Sequence, residues 1–190
     1  MIERIREDTL HLMKIPGLSG HEEQVRYYVK EELKRIGLTP VFDKFGNITV
    51  TFPGTGPRVM LFTHMDQLGL IVRKIEDDGF LRFERVGGVA EKILPGQAIS
   101  AISKNGSTLP GIIGIKSHHA TQPEEKYKVL SYRDLYIDLG MTSAAEVRAN
   151  GIEIGSPVVY KPSAEVIAGE KIIGTSVDDR AGCAVLLEVA

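Results

Sequence analysis

The feature that most limits what this chain can fold into is a change of pattern that occurs twice. Up to about residue 67 the sequence reads as amphipathic helices and apolar strand runs. From 68 to 160 it reads as short strands separated by frequent turns, and after Pro162 the first pattern returns. A chain of 190 residues holds one ordinary domain, or one and a half small ones. The pattern therefore predicts an α/β unit made of 1–67 and 161–190, interrupted by a small, mostly β domain at 68–160.

In the first outer segment, Ile2, Ile5, Leu12 and Met13 stand near helical spacing, and Pro16-Gly17 ends that helix. Ser19 and Glu22 have the spacing of a capping box for a second helix. Its apolar stripe is Val25, Val29, Leu33 and Ile36, and Gly37 suits its left-handed stop. With one apolar face each, both helices are expected to lie on a sheet. Residues 48–52 read as a strand and 53–57 as a turn. The continuous apolar run 59–62 suits a strand buried on both faces. That run leads directly into Thr63-His64-Met65-Asp66, at the end of a strand where open α/β sheets bind ligands. In the last segment, 166–168 and 171–173 are strand-like. Residues 181–190 form an apolar helix with no polar face, which is expected to be buried. The sequence stops inside that helix without a cap, and the α/β segments hold too few strands for a covered sheet; both features are expected of an incomplete chain.

Within 68–160, strands at 70–75 and 80–86 flank the hairpin signal Asp77-Asp78-Gly79. Further strands are expected at 98–102, 112–115, 136–139 and 157–160, with a short helix opened by Ser143 and Glu146 and closed by Gly151. Residues 116–134 are polar and read as an exposed, mobile loop.

Composition narrows the function classes. Lys and Arg number 23 against 25 Asp and Glu, for a formal net charge of −2. Bulk electrostatics thus give no support to a nucleic-acid or anionic-membrane partner. The charged opening MIERIREDTL lacks the apolar core of a secretory signal, and no apolar run is long enough for a bilayer. The one cysteine, Cys183, excludes an internal disulfide, and the expected compartment is the cytoplasm.

Two clusters could carry chemistry. In a strand, His64 and Asp66 project from one face. A neutral imidazole can bind a metal, and a carboxylate behind it can orient the ring. The same triplet also fits an ordinary surface His and Asp. Asp178-Asp179-Arg180 places adjacent carboxylates at a strand-to-helix junction, where a cation would favour them. Alternatively, Asp179 is a helix cap and Arg180 neutralises the pair. Together the clusters are stronger: both close an apolar run in the α/β part, and a carboxylate bridging two metals with His on one of them is common in hydrolytic two-metal sites. His118-His119 in the polar loop, His21 and His11 read as surface residues, Cys183 as a buried inert thiol, and Ser19 and Ser176 lack a nucleophile elbow.

In order along the chain, LMKIPGLSGHEEQV (12–25), THMDQLGLIV (63–72), GQAISAI, GIIGIKSHH, LYIDLG and VDDRAG (177–182) resemble the segments of the tetrahedral aminopeptidase family, also called glutamyl aminopeptidase or cellulase M. The resemblance covers essentially all of the chain. It implies an α/β, aminopeptidase-type catalytic domain, here incomplete, with an inserted small β-barrel-like domain. It further implies a metal-dependent aminopeptidase that removes N-terminal residues from peptides, uses two divalent ions (zinc or cobalt), and assembles into homo-oligomers from dimer to dodecamer. By the same resemblance His64 is a ligand to one metal, Asp66 is the catalytic carboxylate that orients it, Asp178 bridges the two metals, and Asp179 joins Asp178 through an unusual peptide bond; a non-proline cis bond, if present, would be strained and functional. Two departures stand out. Gln67 replaces the family's Glu, and the family's catalytic Glu pair, further Asp and second His would follow the last residue here. The 190 residues alone are thus expected to show negligible turnover and weak metal binding. Two other readings are a non-enzymatic peptide-binding or assembly module built on 68–160, and a glycan hydrolase. The adjacency of Asp178 and Asp179 and the lack of any Trp disfavour the glycan hydrolase.

Overall fold

A computed structural model describes residues 1–190. The chain divides into two compact units, Met1–Gln67 with Ser163–Ala190, and Leu68–Pro162.

The first unit is built on three helices, α1 (Ile2–Leu12), α2 (Glu23–Arg35) and α4 (Val177–Val189); α3 (Ala144–Ala149) belongs to the second unit. Leu12, Val25 and Leu33 from the first two helices meet Cys183, Ala184 and Leu187 of α4 in one buried cluster. Helix spacing puts these residues on facing stripes, as the sequence pattern requires. The Tyr28 hydroxyl of α2 donates to Asp8 of α1 at 3.1 Å, and the Tyr28 ring stacks on His11 at 4.5 Å. Two short antiparallel ladders complete the unit: β1 (Val41–Phe42) with β2 (Ile48–Thr49), and β9 (Ala164–Ile167) with β10 (Lys171–Gly174).

Three expectations are corrected here. The helices pack mainly on α4 and not on a sheet. Residues 59–62 form no strand, and Val59, Met60, Leu61 and Phe62 are 82%, 80%, 60% and 82% exposed. A strand buried on both faces needs neighbours on both edges, and neither ladder of this unit includes the run. The last helix is buried on one side only, with Val185 and Val189 exposed.

The second unit is a closed antiparallel barrel in the order β3-β4-β7-β6-β5-β8. Its strands are β3 (Gly69–Ile75), β4 (Leu81–Val86), β5 (Ala98–Ile102), β6 (Thr108–Gly114), β7 (Tyr136–Asp138) and β8 (Pro157–Tyr160). Alternation fills it: Leu70 and Val72, Leu81 and Phe83, Ile99 and Ala101, Ile113, Ile137 and Val158 all point inward. A bulge between Val72 and Lys74 explains why the next buried residue of β3 is Ile75, three positions on from Val72. The β3–β4 turn uses Gly79 at φ +91°, a left-handed conformation that suits glycine. The short helix α3 (Ala144–Ala149) is capped by Ser143, whose Oγ accepts from the Glu146 N–H at 3.2 Å. Most of 116–129 is exposed, with one 3-10 turn at His118–Ala120. His118 and His119 stand on that exposed surface, edge to face at 5.9 Å.

Candidate metal centre

The side chains marked out by the sequence meet in the first unit. His64 Nδ1 lies 3.0 Å from Asp66 Oδ1, and His64 Nε2 lies 3.0 Å from Asp178 Oδ1. The alternation of the segment divides its roles. His64 and Asp66 face one way, while Thr63 donates to the Asp179 carboxylate and Met65 packs against the helical core.

Asp178 sits where the chain turns into α4. Ser176 is left-handed at φ +62°, Asp178 and Asp179 have non-helical torsions, and the peptide bond between them is cis. Regular helix begins after Asp179, whose Oδ1 accepts the Gly182 N–H at 3.0 Å, the bond of an N-cap. The two carboxylates therefore differ. Asp179 caps the helix and is tied to Thr63, whereas the Asp178 side chain is 93% exposed with His64 beside it. Glycine at 182 is what allows this, because a Cβ there would collide with the Asp179 carboxylate and the Thr63 hydroxyl.

Arg180 does not neutralise the aspartates. It is fully buried; Nη1 donates to the Leu12 carbonyl at 3.2 Å, Nη2 donates to Gln67 Oε1 at 3.4 Å, and Nε has no partner. Burial pulls its guanidinium down to about 10, still far above neutrality, so it stays charged. Gly17 makes room for it: a Cβ there would stand 2.8 Å from Nη2.

Ser19 is also placed differently. Helix α2 starts at Glu23 with Glu22 as N-cap and no side-chain capping bond. The Glu22 carboxylate reaches back to the Gly20 N–H at 2.6 Å, and the Ser19 hydroxyl donates to Asp66 Oδ2. The capping box fails because Gly17 and Leu18 are held to Gln67 instead. The Gln67 N–H donates to the Gly17 carbonyl at 2.8 Å, and Leu18 bridges Gln67 in parallel. So placed, the Ser19 hydroxyl donates to the charged Asp66 carboxylate and accepts no capping N–H. Ser19, Thr63 and Gly182 are the site residues that reading the sequence alone missed. The only signal for Thr63 was its place opposite His64 in the alternation.

For His64, burial works against the charged ring. The Asp66 charge and the hydrogen bond to Asp178 outweigh it and hold the imidazole above its ordinary range. Burial pushes the Cys183 thiol up, as suits a buried, inert cysteine.

The donors fit a divalent ion in kind and in spacing. With bonds of ~2.0 Å, two donors on one tetrahedral ion lie about 3.3 Å apart. His64 Nε2 and Asp178 Oδ1 are 3.0 Å apart. Asp66 accepts on the far side of the ring, the usual position of a carboxylate that orients a ligating histidine. In number the set is short: no group of three or more His, Cys, Asp or Glu is arranged to hold an ion.

An α/β unit carrying this His–Asp–Asp set, interrupted by a closed barrel, defines an aminopeptidase-type fold. The chain belongs to the M42 glutamyl aminopeptidase family, whose sequence model matches residues 46–190. That family is metal-dependent. The glutamyl aminopeptidase of Lactococcus lactis is 31% identical over 185 residues, which cover 94% of this chain and 52% of that protein. Among solved structures, the TET aminopeptidase of Thaumarchaeota archaeon SCGC AB-539-E09 superposes with a TM-score of 0.90 at 33% identity, over 98% of this chain and 52% of that one. The Pyrococcus horikoshii TET1 peptidase, which can assemble into a tetrahedron or a large octahedral shell, superposes with a TM-score of 0.85 at 32% identity, over 98% and 54% of the two chains. The chain spans about half the length of the curated relatives it matches. No helix is long and apolar enough to cross a membrane.

Proposed function

We propose that this chain contributes His64 and Asp178 to the metal centre of a cytoplasmic aminopeptidase, which acts on the N-terminal residues of peptides and assembles as a homo-oligomer. The observation that carries the reading is the alignment Asp66–His64–Asp178, with His64 between two carboxylates at 3.0 Å on either side. His64 would hold one divalent ion and Asp178 would be the carboxylate shared by two, zinc or cobalt by donor type. When bound, such ions polarise the carbonyl of the first peptide bond and lower the pKa of the attacking water.

The chain's own residues supply placement. With its proton on Nδ1, His64 donates to Asp66 and presents Nε2 as a lone-pair donor beside Asp178. Asp179, tied to Thr63 and to the start of α4, fixes where the neighbouring Asp178 leaves the backbone. A zinc hydrolase needs about three protein ligands per catalytic ion and a general base. Two donors are therefore not a working centre, and the activity belongs to a polypeptide of the relatives' full length. The exposed run 59–62 supports this, being an apolar segment with nothing in its own unit to cover it.

Calorimetric titration of the chain with Zn²⁺ tests the assignment. Weak uptake is expected, lost in His64→Ala and in Asp178→Ala. Tight stoichiometric uptake would contradict the two-donor account, and uptake untouched by either substitution would remove these residues from the site.

A further inference from the structure

We infer that Ser19 is a positioning residue for His64: by donating to Asp66 Oδ2 it keeps Oδ1 on His64 Nδ1–H and leaves Nε2 turned toward Asp178. Its functional sense rests on the metal-site reading, but the geometry involves only side chains of this chain.

Three observations support it. First, Ser19 has no capping duty, because α2 is capped at Glu22 without it. Second, its backbone is held in place from both sides. Gly17 accepts from the Gln67 N–H, Leu18 is fully buried and bridges both Gln67 and His21, and the buried Arg180 closes off the space beneath Gly17. Third, the groups it acts on are not held by packing. The side chains of Asp66 and His64 are 37% and 55% exposed. The terminal torsion of an aspartate is broad and two-fold. An Asp66 carboxylate anchored through one oxygen alone can turn away from the ring, and a neutral imidazole is then free to carry its proton on either nitrogen. Anchoring the second oxygen removes that freedom. The relay runs Ser19, Asp66, His64, Asp178, and its first member lies 47 positions from its second.

The test is ¹⁵N NMR of the imidazoles of this chain in alkaline solution, where the rings are neutral. The wild-type chain and Ser19→Thr, which keeps the hydroxyl, should share one His64 tautomer ratio, with the proton divided between Nδ1, facing Asp66, and Nε2, facing Asp178. Ser19→Ala should raise the Nε2–H population several-fold while His11 and His21 stay unchanged. Ser19→Cys, near in shape and a weak donor, should fall between them and serves if the alanine variant folds poorly. In an Asp66→Ala background, Ser19→Ala should add nothing. An unchanged His64 tautomer in Ser19→Ala and Ser19→Cys overturns the inference, as does an effect that persists without Asp66. Zn²⁺ added to the wild-type chain reports separately on the underlying reading. If the His64 Nε2 signal does not move, the metal assignment fails while the Ser19 result stands.

Discussion

His64 is where opposing influences balance most visibly. Burial disfavours its charged form, and Asp66 and Asp178 favour it more, so the ring is easier to protonate in the fold than in the unfolded chain. In the metal-free chain the stabilisation from these contacts is fully present below the unfolded imidazole value and is lost as pH rises through the raised folded value. A metal needs the neutral ring, so its uptake should weaken as pH falls through that same raised value. Proton NMR of His64 should show a titration above that of an ordinary histidine, and Asp178→Asn should move it down. A normal midpoint in the wild-type chain would contradict this. Arg180 offers a second check: its buried charge faces a neutral amide, Gln67 Oε1. Gln67→Glu gives that charge a carboxylate partner and should stabilise the chain by about 1 kcal/mol, read as a raised unfolding midpoint. A lowered midpoint would show that desolvating the new carboxylate costs more than the pairing returns. That His64, Asp66 and Asp178 come together was legible because their chemistry and local spacing are visible in short motifs. Arg180 and Ser19 were not, because Arg180 reaches Leu12 across 168 positions and Ser19 reaches Asp66 across 47.

Among the elements, the start of α4 is the most specified. Asp179 caps the helix, Thr63 holds the cap, and Gly182 leaves room for both. Gly182→Ala gains helix propensity but drives a Cβ into the Asp179 carboxylate and Thr63. The clash should win by about 1–3 kcal/mol of lost stability, measured by denaturant unfolding; a stabilised variant would mean that the cap relaxes freely. The barrel strands were legible because period-two alternation and glycine turns are local signals, as in β3–β4 around Gly79. The run 59–62 was misread for the opposite reason. Apolar composition reports that a segment wants cover, and only the strands beside it decide whether it becomes a strand. The Ser19–Glu22 capping box failed in the same way: its spacing was right, but pairing of Gly17 and Leu18 with Gln67 moved the serine elsewhere.

At the scale of the whole molecule, the two units hold separate cores. The barrel closes on itself with no free edge, so the segment Leu68–Pro162 should fold alone and melt cooperatively by circular dichroism. A non-cooperative melt would show that its core depends on the rest of the chain. Within that core, Phe83→Ala should cost about 3–5 kcal/mol. The first unit differs, since it leaves Val59, Met60, Leu61 and Phe62 uncovered beside a two-donor site. Both features are explained together if catalysis belongs to a polypeptide of the relatives' length. The most direct measurement is hydrolysis of aminoacyl-nitroanilides by that longer polypeptide, with and without His64→Ala and Asp178→Ala. The account predicts metal-dependent release of the N-terminal residue that each substitution abolishes. Activity that survives both substitutions would contradict it.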